Sequence, residues 1–552
     1  MAQQQLVLVD TTQIQPYVFG SNRLRENVGA SYLVAQVTGR WALEAMRTID
    51  RTIESLYSGG GNFAAVMSQN RADDFTRSLS RKVMEEAPGL QIVIARKNFD
   101  NISQSLATTL EAAFQEMQVN KLRRVPSAPL LGVSVTRACA STGFPAVDMA
   151  QIPGEGGHIV EEYAASTDIL AKLDAANDAD FRLSTIAPPP SGYRYPRDFE
   201  NLGATFGDQS YIAVVHIDGD GIGQRLQNMS RCEECTMQDA QGSYEAANIA
   251  FRHLIRAFST AIDESGRAAL RTMIASLNIT HDINAEPQIA HPGRPDMAVS
   301  LRLCRSVSSP AEYFLPVRPI VFGGDDVAFV CDGRLGLALA IAYMRAFEAE
   351  TGKREAGLGQ PATACAGIAI VKSHYPFARA YAMAEELCKS AKRYKKLHDF
   401  QGSCLDWHFA LSGLFGSVDD IRWREYRARI VRPGKPAAEV GHLELRPVTL
   451  GINPRVSARA WPNVKSKVKV LQTGTWAGKR NKVKELRDVL RDGPDAVERF
   501  ALKYGASDLT LGIGKGTENG WPGGEEYCSL FDAVELADFY IPLQANSSEA
   551  DS

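Results

Sequence analysis

Tyr211-Ile-Ala-Val-Val-His-Ile-Asp218-Gly219-Asp220-Gly-Ile-Gly223 and Pro319-Ile-Val-Phe-Gly323-Gly324-Asp325-Asp326-Val-Ala-Phe-Val-Cys331 are apolar, β-branched runs that break at glycine and aspartate. Continuous runs of this kind mark strands buried on both faces. In the second stretch two runs flank Gly-Gly-Asp-Asp, which describes a β-hairpin whose tight turn needs glycine and presents carboxylates at its tip. Ala364-Cys-Ala-Gly-Ile-Ala-Ile-Val371 adds a further run, and the four are expected to share one sheet. Amphipathic helical stretches at 244–264, 335–350 and 377–396 lie between them, so the central third alternates strand and helix.

Taken alone, each acidic cluster reads as a solvated turn or βα loop, because Gly and Asp dominate turns. Their order adds information. If the Asp218 strand neighbours the hairpin, Asp218, Asp325 and Asp326 are expected to converge on one point. Mg²⁺ takes hard oxygen ligands, and two such ions about 3.5–4 Å apart clamp both sides of a phosphoryl displacement. Palm-type nucleotidyl transferases require this constellation.

Outward from this centre, residues 186–197 (IAPPPSGYRYPR) read as a linker, since proline removes backbone donors and restricts the residue before it. The first 135 residues repeat the same grammar: a strand at 6–9, a helix over 24–56, Gly59-Gly-Gly-Asn-Phe-Ala-Ala-Val66, a helix over 73–86 and a strand at 90–95. A diverged internal duplication follows. Past about residue 415 the strand signal fades, helical pattern dominates 464–504, and the chain ends in a polar tail at 546–552. With 552 residues, about three or four domains are expected.

The bulk properties narrow the classes. Hydrophobic residues at 45% and charged residues at 23% exclude global disorder. A formal charge of -3, from 61 basic and 64 acidic residues, gives no general attraction to nucleic acid or membrane, so such binding needs a local patch. The longest apolar stretch, 335–344, is too short to span a bilayer, and no export signal is read at the start, so a cytoplasmic protein is expected. Nine scattered cysteines read as reduced core thiols.

At Tyr211–Leu226, Gly323-Gly-Asp-Asp326, Cys365-Ala-Gly-Ile-Ala-Ile and Ala384-Glu-Glu-Leu-Cys-Lys-Ser-Ala-Lys392 the chain resembles the cyclase palm of the CRISPR polymerase family. That family supplies the large subunit of type III CRISPR effector complexes and is distantly related to GGDEF cyclases. Residues 9–19, 22–33 and 57–63 are similar to its first palm. The resemblance implies an α+β architecture of two tandem ferredoxin-like palms with a helical C-terminal domain: 1–140 the degenerate first palm, 141–204 a linker or small insert, 205–415 the cyclase palm and 416–552 the helical domain. It implies Asp218, Asp325 and Asp326 as metal-binding catalytic acids for Mg²⁺ or Mn²⁺. Gly219, Asp220, Gly323 and Gly324 are expected at the nucleotide, with Lys392 on the triphosphate and ATP as substrate. The product implied is a cyclic or linear oligoadenylate. Because Gly61 and Asn62 stand where acids would, the first palm is expected to bind nucleotide without catalysis.

Departures from the family pattern set further expectations. The chain opens on the first palm, and His281-Asp282 and His398-Asp399 lie within or beside the second, so DNase activity is not expected. Around Cys139 only one cysteine of the family's zinc motif remains, and Cys232-Glu-Glu-Cys235 reads as a surface loop. Gly219-Asp-Gly221-Ile-Gly223 has the wrong spacing for a dinucleotide fingerprint, and Gly512-Ile-Gly514-Lys515-Gly516 is no P-loop. Between Lys465 and Arg491 nine basic residues face two acidic ones, a balance of +7 that is either a solvated helical face or a contact for RNA or CRISPR effector subunits. Two rival functions remain: a diguanylate-type cyclase, opposed by Asp326 where that family prefers Glu, and a non-catalytic nucleotide-binding scaffold, opposed by the intact acids.

Overall fold

Gln4–Thr12 is apolar at four successive positions, 6–9, and buried at five, too continuous for a strand with one wet face, and it runs through the middle of a sheet. The computed structural model describes residues 4–123, 135–154, 157–202, 211–231, 233–282, 284–291, 300–353, 360–410, 416–430, 439–452, 459–473, 476–504 and 527–543. The expected polar tail, the 512–516 glycines and Cys232 lie outside them.

The first palm runs β1 (Gln4–Thr12), α1 (Ile14–Phe19), α2 (Leu24–Gln36), α3 (Ala42–Ile49), β2 (Ser55–Gly59), β3 (Asn62–Ser68), α4 (Gln69–Glu86), β4 (Gln91–Phe99) and α5 (Leu106–Arg123). Its antiparallel order β2-β3-β1-β4 is the ferredoxin-like palm. The single helix expected over 24–56 is broken. A π-bulge at Val37–Trp41 with a kink at Gly39 separates α2 from α3, and α3 stops because Asp50 turns extended, which leaves Leu56 to β2.

The segment before the second palm is more than a connection. It holds a hairpin, β5 (Asp148–Pro153) and β6 (Ile159–Ala165), and a helix α6 (Thr167–Ile186) that packs along α2. Gly29 permits that approach, because a Cβ there would stand 1.7 Å from the Lys172 carbonyl oxygen. Within the expected linker, β7 (Tyr193–Arg194) pairs in parallel with a strand introduced below.

The second palm runs β8 (Tyr211–Gly219), α7 (Ile222–Ser230), α8 (Glu233–Thr236) and α9 (Glu245–Ala275). A small sheet follows, β9 (Ile279–His281), β10 (Pro287–Ile289) and β11 (Leu301–Arg302), and then β12 (Tyr313–Phe314), the partner of β7. The palm resumes with β13 (Val317–Gly323), β14 (Asp326–Asp332), α10 (Gly336–Thr351), β15 (Ala364–Lys372), α11 (Phe377–Leu397) and β16 (Cys404–Ala410). The four expected runs do share one sheet, β13-β14-β8-β15, in the same order as the first palm, and β16 extends it. Along β8, Ala213, Val215 and Ile217 enter one core while Ile212 and Val214 enter a second that also holds Val7, Val9 and Phe63 of the first palm. A period of two with both faces covered explains the unbroken apolar run.

Beyond it lie α12 (Val418–Glu425), β17 (Arg427–Ile430), β18 (Glu439–His442), β19 (Val448–Thr449), α13 (Trp461–Thr473), α14 (Arg480–Arg491), α15 (Pro494–Tyr504) and α16 (Phe531–Leu536). Helices dominate, but strands persist past 415: β17 and β18 pair, and β19 joins β16 at the sheet edge. A buried ion pair from Arg422 to Asp406 fastens this region to β16, and one from Arg446 to Glu535 holds α16 within it.

Candidate active site

The Gly-Gly-Asp-Asp turn closes with Gly323 opposite Asp326, and Gly323 (φ 147°) and Gly324 (φ 69°) occupy backbone space that favours glycine. The next strand in the sheet places Asp218 directly opposite Asp326. Asp325 rests against the end of β8: its carbonyl accepts the Gly219 N–H at 3.1 Å, and a Cβ on Gly219 would stand 2.7 Å from the Asp325 Cβ. Gly219 is therefore required for the hairpin to dock. Lys392 reaches over from α11 and pairs with Asp218 at 2.5 Å.

All three acids stand at this end of the sheet, with Asp218 and Asp326 as its closest-matched pair. Asp218 and Asp326 form a facing pair across the strands, and Asp325 precedes Asp326 in the turn, close enough for the charges of Asp326 and Asp218 to act on it. Among the described residues no three His, Cys, Asp or Glu side chains gather as a metal-ligand group. The surplus negative charge at this end of the sheet favours a cation. Burial, then the charge of Asp326, pushes the Asp325 carboxyl up to about 6. Burial, then the charge of Asp218, pushes Asp326 up to about 7, although its side chain stays 55% exposed and water moderates that push. Burial opposes the Lys392 charge, but its bond to Asp218 outweighs this and holds the ammonium above its ordinary value. One lysine does not compensate three carboxylates. Hard oxygen donors with surplus negative charge fit a divalent cation of the Mg²⁺ type.

Asp220 is placed differently from Asp218. Its carboxylate takes Lys395 at 2.8 Å and the Cys365 thiol at 3.2 Å, so it anchors α11 to the start of β15. Gly221 (φ 72°) then caps α7, whose first turn lies beside Asp325 through the contact of Ile222 with Gly219.

The first palm repeats the site with its charges removed. Asp10 faces Asn62 as Asp218 faces Asp326, Gly59 closes against Asn62, and both hairpins carry a bulge at the same place, beside Leu56 and Ile320. Lys121 pairs with Asp10, and it stands fifteen residues past the start of α5, as Lys392 does past the start of α11. Sequence reasoning missed Lys121. It also missed a second repeat, Thr38-Gly-Arg-Trp-Ala-Leu-Glu-Ala-Met46 against Ser265-Gly-Arg-Ala-Ala-Leu-Arg-Thr-Met273, which self-comparison of the chain reveals. Both copies lie on the long helix beside the Gly-rich turn. Ser58 of β2 bonds the Thr38 carbonyl at 2.7 Å, and a Cβ on Gly266 would stand 2.2 Å from the Gly324 carbonyl oxygen. Gly266→Ala is accordingly expected to push α9 off the Gly-Gly-Asp-Asp turn and cost about 1–3 kcal/mol by overpacking. Chemical denaturation checks this, and an unchanged midpoint would refute the tight approach.

The basic stretch from Lys465 to Arg491 is not one face. Lys467 is buried and donates to the Ser529 carbonyl at 2.8 Å, Arg480 pairs with Asp538, and Arg491 lies over the Phe531 ring. Lys469 and Lys484 remain exposed on α13 and α14.

Fold and site together define a tandem-palm protein whose second palm keeps the acidic pair. Residues 211–399 match the family model "Cas10/Cmr2, second palm domain". Over those residues the chain is similar to the Cas10/Cmr2 family. No curated protein sequence matches it. Among solved structures, a Csm1–Csm4 cassette in complex with cA4 superposes with a TM-score of 0.50 at 13% identity, over 97% of this chain and 70% of that one. The cassette in complex with pppApA gives 0.49 at 14% identity over 97% and 69%. At these identities the likeness concerns the fold. Among the described residues no helix is long and apolar enough to cross a membrane.

Proposed function

We propose that the chain is a metal-dependent nucleotidyl transferase that joins ATP into cyclic or linear oligoadenylates, acting in prokaryotic antiviral defence as the large subunit of a type III CRISPR effector. The Asp218–Asp326 pair beneath Lys392, beside a turn of two glycines, carries this reading. In this reaction the 3′-hydroxyl of one nucleotide attacks the α-phosphate of another and pyrophosphate leaves. Mg²⁺ or Mn²⁺, held by Asp218 and Asp326 with support from Asp325, would supply the positive charge that a phosphoryl displacement demands. Gly323 and Gly324 leave room for the triphosphate against the backbone. The first turn of α7, which follows Gly221, sets backbone N–H groups at this end of the site, where an anion is favoured. Lys392 offsets phosphate charge, and Asp220 acts at one remove by fixing α11 through Lys395.

The related cassette's complex with cA4 supports adenine nucleotides as the substrate class, and its Csm4 subunit supports a smaller CRISPR effector partner. Cytoplasmic action follows from that role. The test is incubation of the pure chain with each NTP and Mg²⁺ or Mn²⁺, followed by product mass analysis. Oligoadenylate from ATP alone is the expected result; guanylate product from GTP would favour the diguanylate reading, and no product with retained ATP binding the scaffold reading.

RNA is a proposed partner of the exposed remainder of the basic stretch. Changing Lys479, Arg480, Lys482 and Lys484 to Gln is expected to weaken single-stranded RNA binding and flatten its salt dependence, since each lost phosphate contact reduces the slope by roughly one. Filter binding at two salt concentrations reads this, and equal binding by both proteins refutes it.

A further inference from the structure

Beneath the acidic pair lies a histidine that the chemistry above does not use. His216 sits two residues before Asp218 on β8 and is almost fully buried, with Nδ1 3.8 Å from Asp326 Oδ1. That separation is too long for a hydrogen bond and short enough for the ring to limit where the carboxylate can move. The histidine's other neighbour is Tyr381 of α11, whose hydroxyl lies 3.3 Å from the same nitrogen while the two rings meet edge to face.

Tyr381 is held in turn by the first palm. Phe19 of α1 stacks on it with ring centres 3.5 Å apart and planes 17° from parallel. One turn along α11, Glu385 accepts a hydrogen bond from Gln15, and the Phe377 N–H that begins the helix donates to Asn22 at 2.8 Å. The start of α1 lies against the first palm's Gly-rich turn: a Cβ on Gly61 would stand 3.2 Å from Ile14 Cδ1, and just before the helix, at the end of β1, the Thr11 N–H and hydroxyl both donate to the Gly61 carbonyl, at 2.9 and 3.0 Å. A continuous packed path therefore runs from the first palm's turn through α1 and Tyr381 to His216 and Asp326.

We propose that His216 and Tyr381 are positioning residues for Asp326, and that through Phe19 they couple this carboxylate to the first palm. The inference rests on Asp326 belonging to the reactive site. A path of packed side chains between two sites carries coupling of roughly 2- to 30-fold in an equilibrium.

The experiment uses the full chain. Tyr381→Phe removes one hydroxyl and keeps the stacked ring; His216→Gln and Phe19→Leu test the two ends. Mn²⁺ affinity is read by electron paramagnetic resonance, ATP condensation by kcat and KM, and stability by thermal unfolding. Tyr381→Phe is expected to weaken Mn²⁺ binding several-fold and lower kcat with KM for ATP unchanged and Tm nearly so, and its effect should be non-additive with Phe19→Leu. Wild-type Mn²⁺ affinity in both Tyr381→Phe and His216→Gln, whatever happens to Tm, would overturn the proposal. If wild type binds Mn²⁺ yet yields no product from any NTP, the transferase reading fails while the Mn²⁺ comparison still decides the positioning role. If His216→Gln does not fold, Tyr381→Phe alone decides it.

Discussion

Replacing Asp325 and Asp326 together by alanine is expected to abolish nucleotide condensation, by at least about 1,000-fold, while the chain stays folded. The two side chains contribute little to packing. Asp326 is more than half exposed and Asp325 sits on a turn whose shape is set by Gly323 and Gly324. Both are held above the usual carboxylate range, Asp325 first by burial and then by its neighbour's charge, Asp326 first by burial and then by Asp218. Removing them relieves a repulsion and opens no cavity, so thermal unfolding at neutral pH should hold or rise slightly. What is lost is the anionic side of the hairpin, which leaves Asp218 paired with Lys392 and no surplus charge to draw a cation. Product analysis by mass, with Mg²⁺ and with Mn²⁺, reads the outcome. Metal-dependent product at wild-type yield would remove this hairpin from the site.

The second palm was legible because its demands are local. A strand buried on both faces must be apolar throughout, and a turn with two left-handed residues must carry glycine, so 211–219 and 317–332 declare themselves. Side-chain direction was not legible: Gly-Asp-Asp in sequence does not say that Asp326 faces Asp218 across the strands while Asp325 sits in the turn against the end of β8. Asp220, two residues from Asp218, reads like a ligand and instead meets Lys395, a partner 175 residues away. The long first-palm helix was overextended because periodicity cannot see a kink at Gly39. His216 inside an apolar run carries no sign of chemistry until Tyr381 and Phe19 are brought to it by the docking of α1 on α11.

Asp218→Asn is expected to lower turnover by about 1,000-fold or more, and Asp10→Asn by less than about tenfold, although the two aspartates occupy equivalent places in equivalent sheets. The difference follows from charge. With its acids ionised, the second cradle carries Asp218, Asp325 and Asp326 against Lys392, a net of -2, which a divalent cation neutralises. The first cradle carries Asp10 against Lys121 with Asn62 and Gly61 in the other places, a net of zero, which suits a nucleotide held by hydrogen bonds and a lysine but gives a cation nothing to bind. The same reasoning makes Lys121 matter for occupancy. Lys121→Glu reverses the charge where a phosphate would lie, and equilibrium dialysis with a non-hydrolysable ATP analogue should show bound nucleotide per chain falling from two toward one, with the second-palm site retained. Equal loss of turnover in Asp10→Asn and Asp218→Asn, with nucleotide still bound, would mean that both palms supply metal ligands; one nucleotide per chain in both wild type and Lys121→Glu would mean that the first cradle holds none, and two in both that Lys121 does not hold it.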